Sequence, residues 1–309
     1  MSGRCRSYRR LSSALIVDIA SLTNLSKVDI DRVTTLAAEV SNSDGLNSLL
    51  EKMVFRLGES SEANVTHLLA SMDNGVLCGY AHVARTGSAE GPSVELFVAR
   101  GYRRQRVGTL LLHHVREIVR DESFRLWSHG AGDGVTEFAQ FSKLKLVKHL
   151  ARLDLKVPQS LSWASEFDGF TYLTVNDLVS DFDWMEVLDR SYPADLHAKA
   201  ISERTWHDPE FSSAALESHT RQVVGVLITR PMRHRGRRAL EIHMVAVLPE
   251  FRGRGISNNL IRSALAKWSS AGGEVSMSYV DIKNTAALRS HLANGFVQTS
   301  VDSVFVPIR

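Results

Sequence analysis

Apolar residues recur at helical spacing from Ile30 to Val40 and again from Leu46 to Leu57, with the polar break Asn42–Gly45 between them, which predicts two helices ahead of the first sheet. His67–Ala70 and Val76–Ala84 alternate as strands around Asp73-Asn74-Gly75, residues that tolerate the positive φ of a hairpin turn. Val94–Val98 predicts a further strand, followed by a basic turn over Arg100–Arg106 and a helix from Val107 to about Arg120. Phe124–His129 and Val147–Val157 predict strands, with a weak helix over Thr136–Leu144 between them. Polar and small residues over Pro158–Gly169 mark a linker.

The pattern then starts again. A helix is expected over Phe182–Ser191, strands over Ala214–Ser218, Val223–Thr229 and Glu241–Val247, then a strand at Glu274–Asp281, a helix at Asn284–Asn294 with Gly295 at its end, and a strand at Val297–Val306. Sliding the chain by 149 positions sets Val98 on Val247, Arg103 on Arg252 and Gly108 on Ser257. Val107, Leu111, Leu112, Val115 and Val119 then fall on Ile256, Leu260, Ile261, Ala264 and Trp268, so strand, turn and helical stripe repeat together and indicate a duplicated domain.

The second copy of the turn, Arg252-Gly253-Arg254-Gly255-Ile256-Ser257, stands between a strand and an amphipathic helix. The first N–H groups of such a helix point outward unpaired, glycines leave the backbone accessible, and arginines add positive charge, an arrangement suited to a pyrophosphate. It lacks the Gly-Lys-Ser/Thr ending of a P-loop and the ribose-binding acid of a dinucleotide fold. It resembles the (Arg/Gln)-x-x-Gly-x-(Gly/Ala) turn of the GNAT acetyltransferases, with Ser257 where that family has Gly or Ala. In the first copy, Arg103-Arg104-Gln105-Arg106-Val107-Gly108, Arg106 replaces the middle glycine, and a more crowded backbone approach is expected there.

Composition adds little beyond this. The 309 residues suit two packed α/β domains, and a net charge of +3 without basic–aromatic interleaving favours small anionic ligands over nucleic acid. Cys5 and Cys78, far apart, exclude a disulfide scaffold or cysteine-rich metal site and suit a reducing cytoplasm. No apolar run approaches the roughly 18 residues that span a bilayer, and the basic N-terminus carries no clear cleavage site, so residues 1–14 read as a disordered extension. A cytoplasmic monomer without metal, membrane or nucleic-acid partner is expected.

Acyl transfer to an amine requires the nitrogen to lose its proton, so a base must stand beside the acyl group. Glu241 and His243 alternate onto one strand face just before the second turn; Glu241 is the expected base and His243 the alternative. The position matching Glu241 in the first copy is Pro92, and Glu95, aligned with Met244, is expected on the opposite face, so the chemistry is assigned to the second copy and weak or structural binding to the first. His291, on the helix after the following strand, is the expected acid for the departing thiolate, and Asn284 would either contact the coenzyme or cap that helix.

Across both halves the chain resembles the mycothiol synthase family of tandem GNAT enzymes, through Val94-Glu95-Leu96-Phe97-Val98, Trp127-Ser128-His129-Gly130, Trp206-His207-Asp208-Pro209, Glu241 with its turn, and Tyr279-Val280-Asp281 before Asn284-Thr285-Ala286-Ala287-Leu288-Arg289. That family uses acetyl-CoA to acetylate the cysteinyl amine of cysteinyl-glucosaminyl-inositol, and its second domain is catalytic. The resemblance implies an α/β fold with a mixed sheet in two GNAT domains, over 15–157 and 170–309, with 158–169 between. It implies acetyl-CoA contacts at Leu96, Phe97, Val98, Arg104, Gln105, Arg106, Val107, Gly108 and Thr109, at Val245, Ala246 and Val247, at Arg252, Gly253, Arg254, Gly255, Ile256, Ser257 and Asn258, and at Asn284, Thr285, Ala286, Ala287, Leu288 and Arg289. It implies contacts to the small amine substrate at Glu51, Asp195, Arg230, Glu241 and Tyr279, Arg230 standing where the family has lysine and His291 where it has tyrosine. Another small amine, a protein N-terminus, or acyl-CoA binding without turnover are the alternatives.

Overall fold

The computed structural model describes residues 5–12, 15–44, 64–85, 91–120, 122–130, 134–161, 163, 165–178, 181–192, 208–234 and 237–308. The helix expected over Leu46–Leu57 lies outside the described residues, as do Glu51 and Asp195. In chain order the elements are β1 (Cys5–Ser12), β2 (Leu15–Leu22), α1 (Lys27–Asp44), β3 (Val65–Met72), β4 (Leu77–Ala84), β5 (Ser93–Val98), α2 (Val107–Val119), β6 (Arg125–Ser128), α3 (Val135–Phe141) and β7 (Leu144–Lys156). They continue as β8 (Glu166–Phe167), β9 (Phe170–Thr174), α4 (Asp181–Ser191), β10 (Ser213–Glu217), β11 (Val223–His234), β12 (Arg237–Val247), α5 (Ile256–Ser270), β13 (Val275–Asp281), α6 (Thr285–Ala293) and β14 (Val297–Pro307).

Two compact units emerge, one reaching His149 and taking in the segment from Val301, the other Leu150–Ser300. The division falls inside strands β7 and β14 instead of at the polar stretch 158–169. The C-terminal strand β14 pairs antiparallel with β6 in the first unit, Val304 opposite Trp127, while β7 pairs antiparallel with β13 in the second, Met277 opposite Asp154. Each half therefore completes its sheet with the last strand of the other half's sequence. Long-range pairing of this kind leaves no mark in a local pattern, because β-strands find partners by edge complementarity and not by sequence proximity.

Within the first unit the strand order is β1-β2-β3-β4-β5-β6-β14, parallel only between β5 and β6. Cys5–Ser12, expected as a disordered extension, forms an edge strand on β2, since an open edge offers a row of backbone donors and acceptors to an adjacent segment. One face of this sheet packs on α2 through Val107, Leu111 and Val115; the other packs on α1, where Val33, Leu36 and Val40 meet Leu69, Tyr80 and Phe97. The second unit runs β7-β13-β12-β11-β10-β9-β8, parallel only between β12 and β13, around a core that includes Trp184 and Leu188 of α4 and Leu260, Ile261 and Trp268 of α5. The basic stretch Arg230–Arg238 mostly extends the β11–β12 hairpin, with Arg233 opposite Arg238.

Both parallel pairs open toward the turns that follow β5 and β12. Pairing stops at Glu95–Trp127 in one unit and at Ile242–Ser278 in the other, although β5 continues to Val98 and β12 to Val247. A parallel pair that parts before its strands end leaves backbone groups facing a wedge, and a ligand can take up their hydrogen bonds.

Candidate active site

The two turns are built alike down to their dihedral angles. Arg103 has φ −68° and ψ 157°, Arg252 φ −67° and ψ 157°. Each of these arginines donates from Nε to the carbonyl that ends the preceding strand, Val98 and Val247, both at 3.1 Å. Arg104 and Arg106, at φ 62° and 65°, stand where Gly253 and Gly255 have φ 81° and 76°. Arg106 thus keeps the left-handed conformation the turn requires, at a cost in backbone strain, since a side chain disfavours that region. Neither α2 nor α5 is capped by a side chain at its N-terminus, so the first N–H groups of both helices remain available to an anion. A Cβ at Gly253 would meet nothing within 4 Å, so the backbone of the second turn is open to an approaching group.

In the second unit the decisive local feature is a bulge in β12. Ile228 pairs with Met244 but Thr229 pairs with Ile242, so His243 is an extra residue. The bulge changes the strand's parity: Arg230 opposes Glu241 and Ile228 opposes Met244, which puts Glu241 and Met244 on one face although they are three positions apart. β5 has no such irregularity against β4. Glu95, aligned with Met244, therefore lies on the face matching that of Glu241, contrary to the expectation drawn from simple alternation. Its face is opposite to Val98, whose partner Gly79 looks onto Val107 and Leu111 of α2.

Glu241 is buried and its carboxylate is held on both oxygens. Arg230 donates to Oε2 from Nε at 3.0 Å and from Nη2 at 2.6 Å, and His243 Nδ1 lies 3.4 Å from Oε1. Burial by itself pushes the carboxyl's proton affinity up, but the His243 hydrogen bond and the charges of Arg230 and His243 outweigh it and bring the pKa down to about 2. Glu241 is thus an ionised, preorganised carboxylate, and Arg230, a residue expected at the substrate, is its direct partner. Tyr279, half-buried on β13, sits opposite Arg152 of β7 in the same sheet.

The other expected residues divide. Val245 and Val247 present carbonyls that already have partners, the first accepting from Tyr192 Oη at 2.7 Å and the second from Ser191 Oγ at 3.3 Å. Ser257 shares a hydrogen bond with Ser290 at 2.8 Å, tying α5 to α6 without obstructing the turn. Asn284 accepts from the Ala287 N–H at 3.1 Å, so its side chain caps α6. His291 does not have the arrangement of an acid. It is buried, its pKa is lowered by desolvation, its Nδ1 donates to the Ala287 carbonyl at 2.8 Å, and its ring meets Phe296 edge-on. A neutral imidazole with its one proton committed to a carbonyl has none to give.

The first unit holds a cavity of about 560 Å³ at its wedge, lined by Leu96–Val98, Arg104, Arg106 and Thr109 among the expected coenzyme contacts, and also by Glu95 and His129. His129 Nδ1 lies 2.9 Å from Asp302 and Nε2 lies 3.5 Å from Glu95, all three side chains nearly fully buried. Sequence reasoning missed this cluster because Asp302 lies 173 residues from His129 and arrives on β14. Among the described residues no group of His, Cys, Asp and Glu is placed to hold a metal, and no helix is long and apolar enough to cross a membrane.

Comparison with known proteins agrees with this double construction. The acetyltransferase (GNAT) family model matches residues 37–135 and again 182–296. A mycothiol acetyltransferase of Streptomyces griseus is 28% identical over 301 residues, covering 93% of this chain and 95% of the relative. A GCN5-related N-acetyltransferase from Sphaerobacter thermophilus superposes with a TM-score of 0.77 at 17% identity, covering 93% of this chain and 95% of that one. A tandem GNAT protein from the clavulanic acid biosynthesis pathway superposes with a TM-score of 0.70 at 15% identity, covering 94% and 97%; both likenesses are of fold. With the family matched in each half and the same turn built twice, this chain belongs to the acetyltransferase (GNAT) family.

Proposed function

We propose that this chain transfers the acetyl group of acetyl-CoA to the cysteinyl amine of cysteinyl-glucosaminyl-inositol, forming mycothiol, with the second unit as the catalytic centre. The observation that carries this reading is Glu241, buried at the β12 bulge beside the glycine turn and held by Arg230 and His243. The name of the Streptomyces griseus relative, similar across nearly the whole chain, supports the acceptor.

Acetyl-CoA supplies the activated acyl group as a thioester. Gly253, Gly255 and the free N–H groups opening α5 would hold its pyrophosphate, with Arg254 adding charge. Residues of the wedge between β12 and β13 would receive the pantetheine arm, with Asn258 and Thr285–Arg289 as its further expected contacts. Glu241 then acts on the acceptor nitrogen. While Arg230 is bound, the carboxylate is a weak base; when the incoming ammonium takes Arg230's place, the ion pair it forms with Glu241 is buried, and burial favours the neutral carboxyl–amine pair, so the proton moves from nitrogen to Oε2. The displaced guanidinium turns to the acceptor's hydroxyls. As the nitrogen bonds the thioester carbon the carbon–sulfur bond breaks and sulfur leaves with the bonding pair; of the two protons that nitrogen loses, one ends on the departing sulfur and the other in solvent.

The test is coenzyme thiol release with cysteinyl-glucosaminyl-inositol. Wild type is expected to turn over, and Glu241→Gln to lose roughly two orders of magnitude or more in kcat. Turnover of another amine with none of this acceptor would move the reading to a different small-amine acetyltransferase, an acceptor change favoured by Arg230 in the place of lysine.

A further inference from the structure

We propose that Ser278 is the residue that limits the donor to an acetyl group: its hydroxyl, hooked onto the Ile242 carbonyl, closes the inner end of the wedge between β12 and β13. The inference rests on the reading that the coenzyme's pantetheine arm lies in that wedge with its pyrophosphate at the Arg252–Ser257 turn. It adds a selectivity for the donor, on which the choice of acceptor has no bearing.

The wedge has a defined end. Backbone pairing of β12 with β13 runs from Ala239 opposite Val275 to Ile242 opposite Ser278 and stops there. From Thr229, the β11 partner of Ile242, to Gly225, the partner of Val247, β11 advances four residues, so roughly 13 Å of β12 lies open at about 3.3 Å per residue. An arm entering from the turn is laid along this stretch with its thioester toward the closed end. Past that end, Leu240 and Met277 are buried and the two strands stand at pairing distance, which leaves no room for further methylenes.

Two serines hold the pair together. Ser276 donates from Oγ to the Leu240 carbonyl and Ser278 from Oγ to the Ile242 carbonyl, each at 2.9 Å and each from a buried side chain. Alternate residues of a strand share a face, so the two hydroxyls act from the same side of β13. Their positions differ in one respect: Ser276 sits inside the paired stretch and Ser278 at its last pair. A pair inside a ladder is backed on both sides, whereas the end pair is the one that frays, so a bond there decides where the ladder stops. The last parallel pair of the first unit, Glu95 with Trp127, has no hydroxyl to do this.

The end pair also adjoins the residues expected at the acceptor. Glu241 precedes Ile242 and Tyr279 follows Ser278; Glu241 opposes Met277, two residues before Tyr279, so both side chains share one face of the sheet. Ser278 is a positioning residue. It acts through the Ile242 carbonyl, fixing the strand ends against which the acyl chain stops and beside which Glu241 and Tyr279 stand. Without its hydroxyl the end pair parts more readily, and the added depth admits one more methylene.

The experiment uses the full chain as wild type, Ser278→Ala and Ser276→Ala, with acetyl-CoA and propionyl-CoA as the probes. Each variant forfeits one neutral hydrogen bond, a loss that a folded domain bears, and urea titration should place the two at similar stability. Calorimetry measures the affinity for each coenzyme ester, and thiol release with cysteinyl-glucosaminyl-inositol measures kcat/KM. Wild type is expected to favour acetyl over propionyl roughly tenfold or more in kcat/KM, the discrimination a site exerts against one methylene. Ser278→Ala is expected to bring that ratio to within about threefold of unity and to tighten propionyl-CoA binding, whereas Ser276→Ala keeps the wild-type values of both. The first unit is identical in the three proteins, so differences in binding between them belong to the second. The inference is overturned if wild type accepts the two donors equally, if Ser278→Ala keeps the wild-type preference, or if Ser276→Ala relaxes it as far. Absence of thiol release from wild type with either donor would overturn the proposed acceptor instead, and the propionyl-CoA affinities would then decide this inference by themselves.

Discussion

Arg106 and Gly255 share one left-handed backbone conformation, with φ of 65° and 76°, each as the residue that opens the helix after its turn. The second turn has the residue for which that conformation is free of steric cost; the first holds an arginine in it. Arg106→Gly is therefore expected to raise the stability of the first unit by about 1 kcal/mol, and Gly255→Arg to lower that of the second by about as much. Urea titration of the two variants checks the pair, and opposite signs are the discriminating result.

Removing Arg230 takes away a guanidinium that holds the Glu241 pKa down, while burial, which pushes the other way, remains. In Arg230→Met the acid limb of kcat/KM is expected to move up from the neighbourhood of pH 2 into the ordinary carboxylate range or above it. A pH–rate profile over the acid side measures it, and an unmoved limb would mean that the carboxylate titrating in catalysis is not Glu241.

His291 is expected to matter for stability and hardly for the chemical step. His291→Gln forfeits the buried ring's contact with Phe296 and should lower the melting temperature while leaving kcat within a few-fold of wild type. A loss of two orders of magnitude in kcat with an unchanged melting temperature would restore the acid role.

His67 is fully buried against Tyr80 in the first unit, and desolvation lowers its pKa from 6.5 to about 4. Above pH 6.5 the ring is neutral in folded and unfolded chains alike, so it adds no pH dependence. As the pH falls toward 4 the unfolded chain takes up a proton that the folded one refuses, and stability should drop by about 3 kcal/mol. Denaturant titrations at pH 7 and pH 4 should show this component in wild type and lack it in His67→Gln.

What the sequence determined by itself was local and repeated. A strand, an arginine turn and a helical stripe recur at a fixed offset because turn dihedrals and helix faces depend on residues within a few positions of one another; this made the duplicated fold and its two like turns legible and marked Glu241 as a candidate base. Tertiary structure decided everything that depends on register and partner. One inserted residue, His243, reverses the face of every strand position before it, so simple alternation misplaced Glu95 relative to Glu241. Arg230 reaches Glu241 only through the hairpin register, and Asp302 reaches His129 only because the last strand pairs with β6. A strand edge selects its neighbour by backbone hydrogen bonding that any sequence can supply, which is why such partners appear only once the chain has folded.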